Sequence, residues 1–177
     1  AAKPDIRAVL RLEGGELSTT LALPSLSDVQ LELRAEKRVV TVVRGSGALG
    51  GAPFTLAGGL AWDGAGGSRA DLSFDGENLL YYRADGVKLR ADTHLTLRGP
   101  LERLELSGRI GITDGEYTRR LDLLNLLQST GQPRGGPGLS LFSLSRAPFR
   151  QVALQVAIET VRPFRIENNV AFGTVRP

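Results

Sequence analysis

The chain has no cysteine and no methionine among its 177 residues, and it has a single histidine. The lack of cysteine excludes disulfide bonds, thiolate metal sites and cysteine nucleophiles, and it leaves the redox compartment open. Aromatic residues make up only 6% of the chain, so few large rings are available to fill a closed core. No apolar run reaches the roughly 18 residues that a membrane-spanning helix needs. The amino terminus also lacks a signal-peptide pattern.

The charge of the chain is modest and dispersed. Its net charge of +3 rests mostly on arginines scattered among the apolar segments. Nucleic-acid binders gather basic residues on one face beside stacking aromatics, so we expect no nucleic-acid partner, whereas an anionic lipid head group stays open. The 41% hydrophobic content predicts a folded chain, and its length predicts one domain over residues 1–177. Because methionine is absent, we expect a mature form or a fragment of a longer protein.

Apolar residues recur at nearly every second position through most of the chain. The pattern is clearest from Leu95 to Ile112, where two runs meet at Gly99-Pro100. A period of two is typical of strands with one apolar and one polar face. Glycine-containing pairs predict turns at 14–15, 75–76 and 85–86. The sequence therefore predicts an all-β protein.

Two segments of this pattern resemble each other. The spacing Leu-x-Gly-x-Leu around Gly58 recurs as Leu-x-Gly-x-Ile around Gly108, and an Asp-Gly pair follows each. Glycine inside a strand marks a bend or a close backbone approach. The repeat predicts a recurring strand–bend–strand unit.

One segment departs from the strand pattern. Leucines recur every three or four residues over about 119–128, which predicts a short amphipathic helix. Its apolar residues are Leu121, Leu123, Leu124, Leu126 and Leu127. A loop rich in glycine and proline is predicted at about 129–138. The helix can act as a gate over an apolar surface, or it can be an ordinary packing helix.

Several motifs together resemble the C-terminal domain of TamB, a member of the AsmA-like proteins. They are DGVKLRAD at 85–92, LRGPL at 97–101, LELSGRI at 104–110, DGEYTRRLDLL at 114–124 and PFRIENN at 163–169. The resemblance implies an elongated, curled, antiparallel or mixed sheet that forms an open half-pipe, called a β-taco, with an apolar concave face and one short helix. It also implies a periplasmic protein anchored in the inner membrane, an outer-membrane barrel partner of the TamA type, and roles in phospholipid transport and outer-membrane protein assembly.

A one-sided apolar sheet can close on itself as a barrel or sandwich, or stay open as a groove. Medium-sized aliphatic residues and few aromatics favour the groove. The predicted lipid-groove residues are Leu95, Leu97, Leu104, Leu106, Ile110, Ile112, Leu154, Val156 and Ile158. The alternative for each of them is a place in a dry core.

Catalytic and metal-binding patterns are lacking. His94 is predicted on the polar side of its strand, Ser46 has no histidine partner, and the acidic residues lack the spacing of a Ca²⁺ loop. We therefore expect no enzyme activity, no cofactor and no metal. The function expected is a hydrophobic groove for phospholipid. The alternatives are a scaffold or chaperone that binds outer-membrane strands by β-augmentation, and a plain β-sandwich adhesin.

Overall fold

A computed structural model describes residues 7–17, 24–62, 67–84, 86–118, 152–169 and 171–176. Within these residues the alternating segments form ten β-strands of one sheet. The strands are β1 (Arg7–Leu17), β2 (Leu26–Glu36), β3 (Val39–Leu49), β4 (Ala52–Trp62), β5 (Ser68–Ala84), β6 (Val87–Pro100), β7 (Leu104–Tyr117), β8 (Val152–Thr160), β9 (Phe164–Glu167) and β10 (Phe172–Val175).

The sheet is mixed and open. Strands β1 to β7 form an antiparallel meander in which each strand pairs with the next. Strands β8 and β9 both run parallel to β7 and follow one another along its outer edge, and β10 pairs with β9. Among the described strands, β1 pairs only with β2. The all-β fold with an open sheet is therefore confirmed, and it is consistent with a half-pipe.

The predicted helix at about 119–128 and the predicted loop at about 129–138 lie outside the described residues. The described part of the chain contains strands and turns only. It includes no helix with the length and apolar character needed to cross a membrane.

The repeat around Gly58 and Gly108 corresponds to two equivalent backbone kinks. Gly58 on β4 has φ 111° and Gly108 on β7 has φ 139°, values that other residues rarely adopt. A Cβ atom on Gly58 would collide with the carbonyl oxygen of Asp71, and one on Gly108 with that of His94. In both cases this carbonyl belongs to the residue just before the glycine's cross-strand partner. The predicted strand–bend–strand unit is confirmed.

The kinked strands flank the central β5–β6 hairpin. In a flat sheet, next-nearest strands lie about 9.5 Å apart. Parts of β3 and β5, and parts of β5 and β7, approach within 8 Å between Cα atoms. These approaches are local, and the described sheet as a whole is open.

Two of the predicted turns are wrong, because their glycines lie at bulges inside strands. Gly14, with φ 68°, lies in β1 where the register with β2 shifts between Leu12 and Gly15. Gly76 lies in β5 at another register shift, between Gly76 and Leu79. At this bulge the Asn78 N–H donates a hydrogen bond to Asp92 Oδ1 at 2.7 Å. For the turn predicted at 85–86, Gly86 lies in a turn between Ala84, the end of β5, and Val87, the start of β6, whereas Asp85 lies outside the described residues.

Replacing either kink glycine should destabilise the fold. We expect Gly58→Ala and Gly108→Ala each to lower the free energy of unfolding by at least about 1–3 kcal/mol, because alanine is strained at these φ values and its Cβ meets backbone. Gly173→Ala is the matched control, since nothing lies within 4 Å of a Cβ there. Denaturant unfolding measures all three. Equal stability of the two kink variants and the control would contradict this account of the bends.

Candidate functional site

The cross-strand register places most of the larger apolar residues of β1 to β8 on one side of the sheet, which we call the apolar face, whereas Val9 and Val39 lie on the other side. Directly opposed residues in paired strands point to the same side of a sheet, so the pairing identifies this face strand by strand. Its larger residues on β1 to β8 are Leu10, Leu12, Leu31, Leu33, Val40, Val42, Leu56, Leu60, Leu72, Phe74, Leu95, Leu97, Leu104, Leu106, Ile110, Ile112, Leu154, Val156 and Ile158.

One row of this face crosses eight strands without a polar residue. We call it the aliphatic row. Each member is the register partner of the next: Leu10, Leu33, Val42, Gly58, Leu72, Leu97, Leu106 and Leu154. With neighbouring strands about 4.8 Å apart, the row is roughly 34 Å long. It runs perpendicular to the strands, and the Gly58 kink lies at its middle.

All nine predicted groove residues lie on the apolar face, adjacent to one another on β6, β7 and β8. Seven of them are half-buried, whereas Leu154 is 52% and Ile158 is 68% exposed. No second layer of described strands packs on them. The sheet thus brings these residues together as one accessible apolar surface. The five leucines of the predicted gate helix lie outside the described residues.

Burial on the apolar face is greatest at the centre of the β5–β6 hairpin. Leu79 and Thr93 are fully buried, and Ala91 beside them is buried too. The Tyr81 hydroxyl lies 2.6 Å from Thr93 Oγ1, which gives both hydroxyls a hydrogen-bond partner. Burial raises the pKa of Tyr81, and its hydrogen bond to Thr93 lowers that pKa by a smaller amount. This cluster is a small local core on an otherwise open face.

The opposite side, which we call the polar face, carries charge pairs between neighbouring strands. Arg98 Nε lies 3.0 Å from Asp71 Oδ1, and Lys88 Nζ lies 2.6 Å from Asp114 Oδ2. His94 Nδ1 lies 2.9 Å from Asp75 Oδ1, so the histidine is on the polar side as predicted. Exposed pairs of this kind contribute about 0–1 kcal/mol each. Their main effect is to favour this register and this outward face.

The polar face also contains two hollows that the sequence did not predict. One, of about 700 Å³, lies by the β2–β3 turn between Arg34, Lys37 and Val43. The other, of about 560 Å³, lies between Gly59 and Arg98. A twisted sheet is concave along one diagonal on each side. Concavity in this sheet is therefore not confined to the apolar face.

The part of the apolar face on β1 to β5 was not among the predicted groove residues. Leu72 and Phe74 continue the surface of Leu97 and Leu95, and the Phe74 ring lies 5.3 Å from the ring of Phe54 between centroids. The same alternation was visible in these strands. The sequence does not give the register between strands, and the register decides whether the apolar positions of neighbouring strands face the same side of the sheet.

The described residues contain no group of three or more histidine and acidic side chains placed to hold a metal ion. The described residues form an open β-sheet with one apolar face and one face that carries charge pairs. This architecture defines the class of protein. A family model for the TamB C-terminal domain matches residues 44–132, about half of the chain. The chain therefore belongs to this family, which points to a role in transport or assembly by the translocation and assembly module. Neither the curated proteins nor the solved structures yield a match.

The raised pKa of Tyr81 predicts a stability that falls at alkaline pH. An unfolded tyrosine ionises near pH 10, and the folded one above it. Tyr81 should therefore contribute no pH dependence below pH 10, and the free energy of unfolding should fall as pH rises from 10 through the folded pKa. Denaturant unfolding at several pH values measures this loss of stability. Tyr81→Phe should remove the part of the pH dependence that comes from Tyr81.

Two variants of Thr93, the hydrogen-bond partner of Tyr81, separate the effect of burial on the Tyr81 pKa from the effect of the hydrogen bond. Thr93→Val removes the hydrogen bond that lowers the pKa, so tyrosinate should form at still higher pH in an absorbance titration. Thr93→Ser keeps the hydroxyl and should leave the titration close to that of the parent chain. A lower Tyr81 pKa in Thr93→Val would contradict this assignment.

Proposed function

We propose that the apolar face binds the acyl chains of phospholipids, and that the chain contributes one stretch of a path for phospholipid between the inner and outer membranes. The observation that carries this proposal is the aliphatic row. It offers a hydrocarbon chain a roughly 34 Å strip across eight strands, with an aliphatic side chain on seven of them and Gly58 on the other. The head group would remain in water beside the sheet.

The energetics of an open face suit movement better than tight binding. A fully buried methylene gains about 0.8 kcal/mol, and a chain lying on a single sheet is covered on one side only. The gain per methylene is therefore well below the full value. Because successive strands present similar aliphatic side chains at the row, a chain that moves from one strand to the next exchanges one apolar contact for another.

The location and partner that we propose follow from the family. TamB belongs to the translocation and assembly module. We propose that this chain acts in the periplasm, within a protein anchored in the inner membrane, and that an outer-membrane barrel protein of the TamA type is its partner. We also propose that its role is non-catalytic, because the only histidine is exposed on the polar face, where its Nδ1 lies within hydrogen-bond distance of Asp75.

One observation favours a second function, the binding of an outer-membrane strand by β-augmentation. Among the described strands, β8 pairs only with β7, so along its nine residues the N–H and C=O groups of alternate residues point to the other edge. Exposed strand edges of this kind are templates for an added strand. A role of β8 as scaffold or chaperone is compatible with lipid binding on the apolar face.

Photo-crosslinking in cells tests the lipid proposal. A photoreactive residue at Leu97, Leu106 or Leu154 should form adducts with phospholipid, because these positions lie on the aliphatic row. The matched controls are Thr96, Ser107 and Gln155, which form the neighbouring cross-strand row on the polar face. They should give few lipid adducts.

Mass spectrometry of the adducts distinguishes the two functions. Lipid adducts confined to the apolar row support transport along this face. Protein adducts from the β8 positions on both faces, without lipid at any position, would favour β-augmentation. Equal lipid labelling from both rows would overturn the assignment of the apolar face.

A further inference from the structure

One end of the sheet carries exposed apolar and cationic side chains at the β2–β3 turn, at the adjoining ends of β4 and β5, and at the β6–β7 turn. We call it the basic rim, and its residues are Lys37, Arg38, Trp62, Arg69, Leu101 and Arg103. Two backbone hydrogen bonds fix residues of this rim to the neighbouring strand ends. The Trp62 N–H donates to the Arg38 carbonyl at 2.9 Å, and the Leu101 N–H donates to the Ser68 carbonyl at 2.8 Å. The rim is therefore a fixed part of the sheet, about 19 Å from the β2–β3 turn to the β6–β7 turn.

The apolar members of the rim are partly exposed. Trp62 is 40% exposed and Leu101 is 44% exposed, although each lies at a strand end where a polar residue would be easily accommodated. Trp62 is the only tryptophan of the chain. Tryptophan is enriched at membrane–water interfaces, where its ring meets hydrocarbon and its N–H meets head groups.

The cationic members are exposed and lack carboxylate partners in the described part of the chain. Two arginines elsewhere on the polar face are paired, Arg98 with Asp71 and Arg109 with Glu159. No described carboxylate lies within 4.0 Å of the side-chain nitrogens of the four rim cations. Glu36 and Glu102 share this end of the sheet, so cations outnumber acids along the described rim.

From this arrangement we propose that the basic rim docks on the surface of an anionic phospholipid bilayer. Trp62 and Leu101 enter the interfacial region, and the four cations contact lipid phosphates. Basic side chains near a membrane surface attract anionic lipids, and apolar side chains between them add burial. The strands then stand on the membrane, and the end of the apolar face that carries Leu60 and Leu104 adjoins the bilayer.

This proposal does not rest on lipid transport by the apolar face. The rim would bind a bilayer even if no acyl chain left that bilayer. Conversely, the apolar face could bind lipid delivered by another protein. Separate variants therefore test the two ideas.

Vesicle binding with Trp62 fluorescence as the reporter provides the experiment. Vesicles that contain phosphatidylglycerol should shift the emission to shorter wavelength and carry the chain in flotation, whereas phosphatidylcholine vesicles should do neither. Added salt should weaken the binding, because it screens the charges. Each of Lys37→Gln, Arg38→Gln, Arg69→Gln and Arg103→Gln should reduce the affinity roughly fivefold.

The control variants are Arg83→Gln and Arg165→Gln, which remove exposed cations near the other end of the strands. They should bind vesicles like the parent chain, and circular dichroism should show that all variants are folded. An emission shift that persists after all four rim cations are neutralised would mean that Trp62 reports acyl chains on the apolar face, and it would overturn docking. So would the absence of binding to anionic vesicles, or an equal loss in the controls.

Discussion

The register between neighbouring strands is the constraint on which the rest of this structure depends. Each strand alternates apolar and polar residues, but an alternating strand alone does not define a face. The aliphatic row exists because Leu72, Leu97 and Leu106 are direct partners across three strands. A slip of one residue in any pair would turn the leucines of one strand toward the polar face. The charge pairs on that face oppose such a slip, since it would separate Arg98 from Asp71.

The sheet is held together with little buried core. Among the described residues, the fully buried side chains are Leu79, Ala91 and Thr93, at the centre of the longest hairpin. Elsewhere the larger apolar residues are half-buried or exposed. Hydrogen bonds between strands and contacts between neighbouring side chains therefore supply most of the stability of the sheet. Within the described part of the chain, the apolar face has no second layer packed on it. A second layer packed on it would have stabilised the protein and removed the surface that we propose binds lipid.

The sequence was sufficient to predict the strands and to predict which alternate residues of each strand are apolar, because a period of two is a local property. It was also sufficient for the two glycine kinks, which the repeat around Gly58 and Gly108 revealed. It misassigned Gly14 and Gly76, because glycine allows a bulge as readily as a turn and the choice depends on the partner strand. The extent of the aliphatic row and the position of the basic rim depend on register between strands distant in sequence. No local pattern contains that information.

The central claim is that acyl chains occupy the apolar face and not the polar one. Mass spectrometry of phospholipid co-purified with the chain tests it most directly, with Leu106→Glu compared with Ser107→Glu. These neighbouring positions on β7 point to opposite faces of the sheet. A carboxylate on the aliphatic row has to be desolvated by an acyl chain, whereas one on the polar face stays in water. The account predicts that Leu106→Glu loses the bound phospholipid and that Ser107→Glu retains it. Equal retention by two folded variants, or a greater loss in Ser107→Glu, would contradict it.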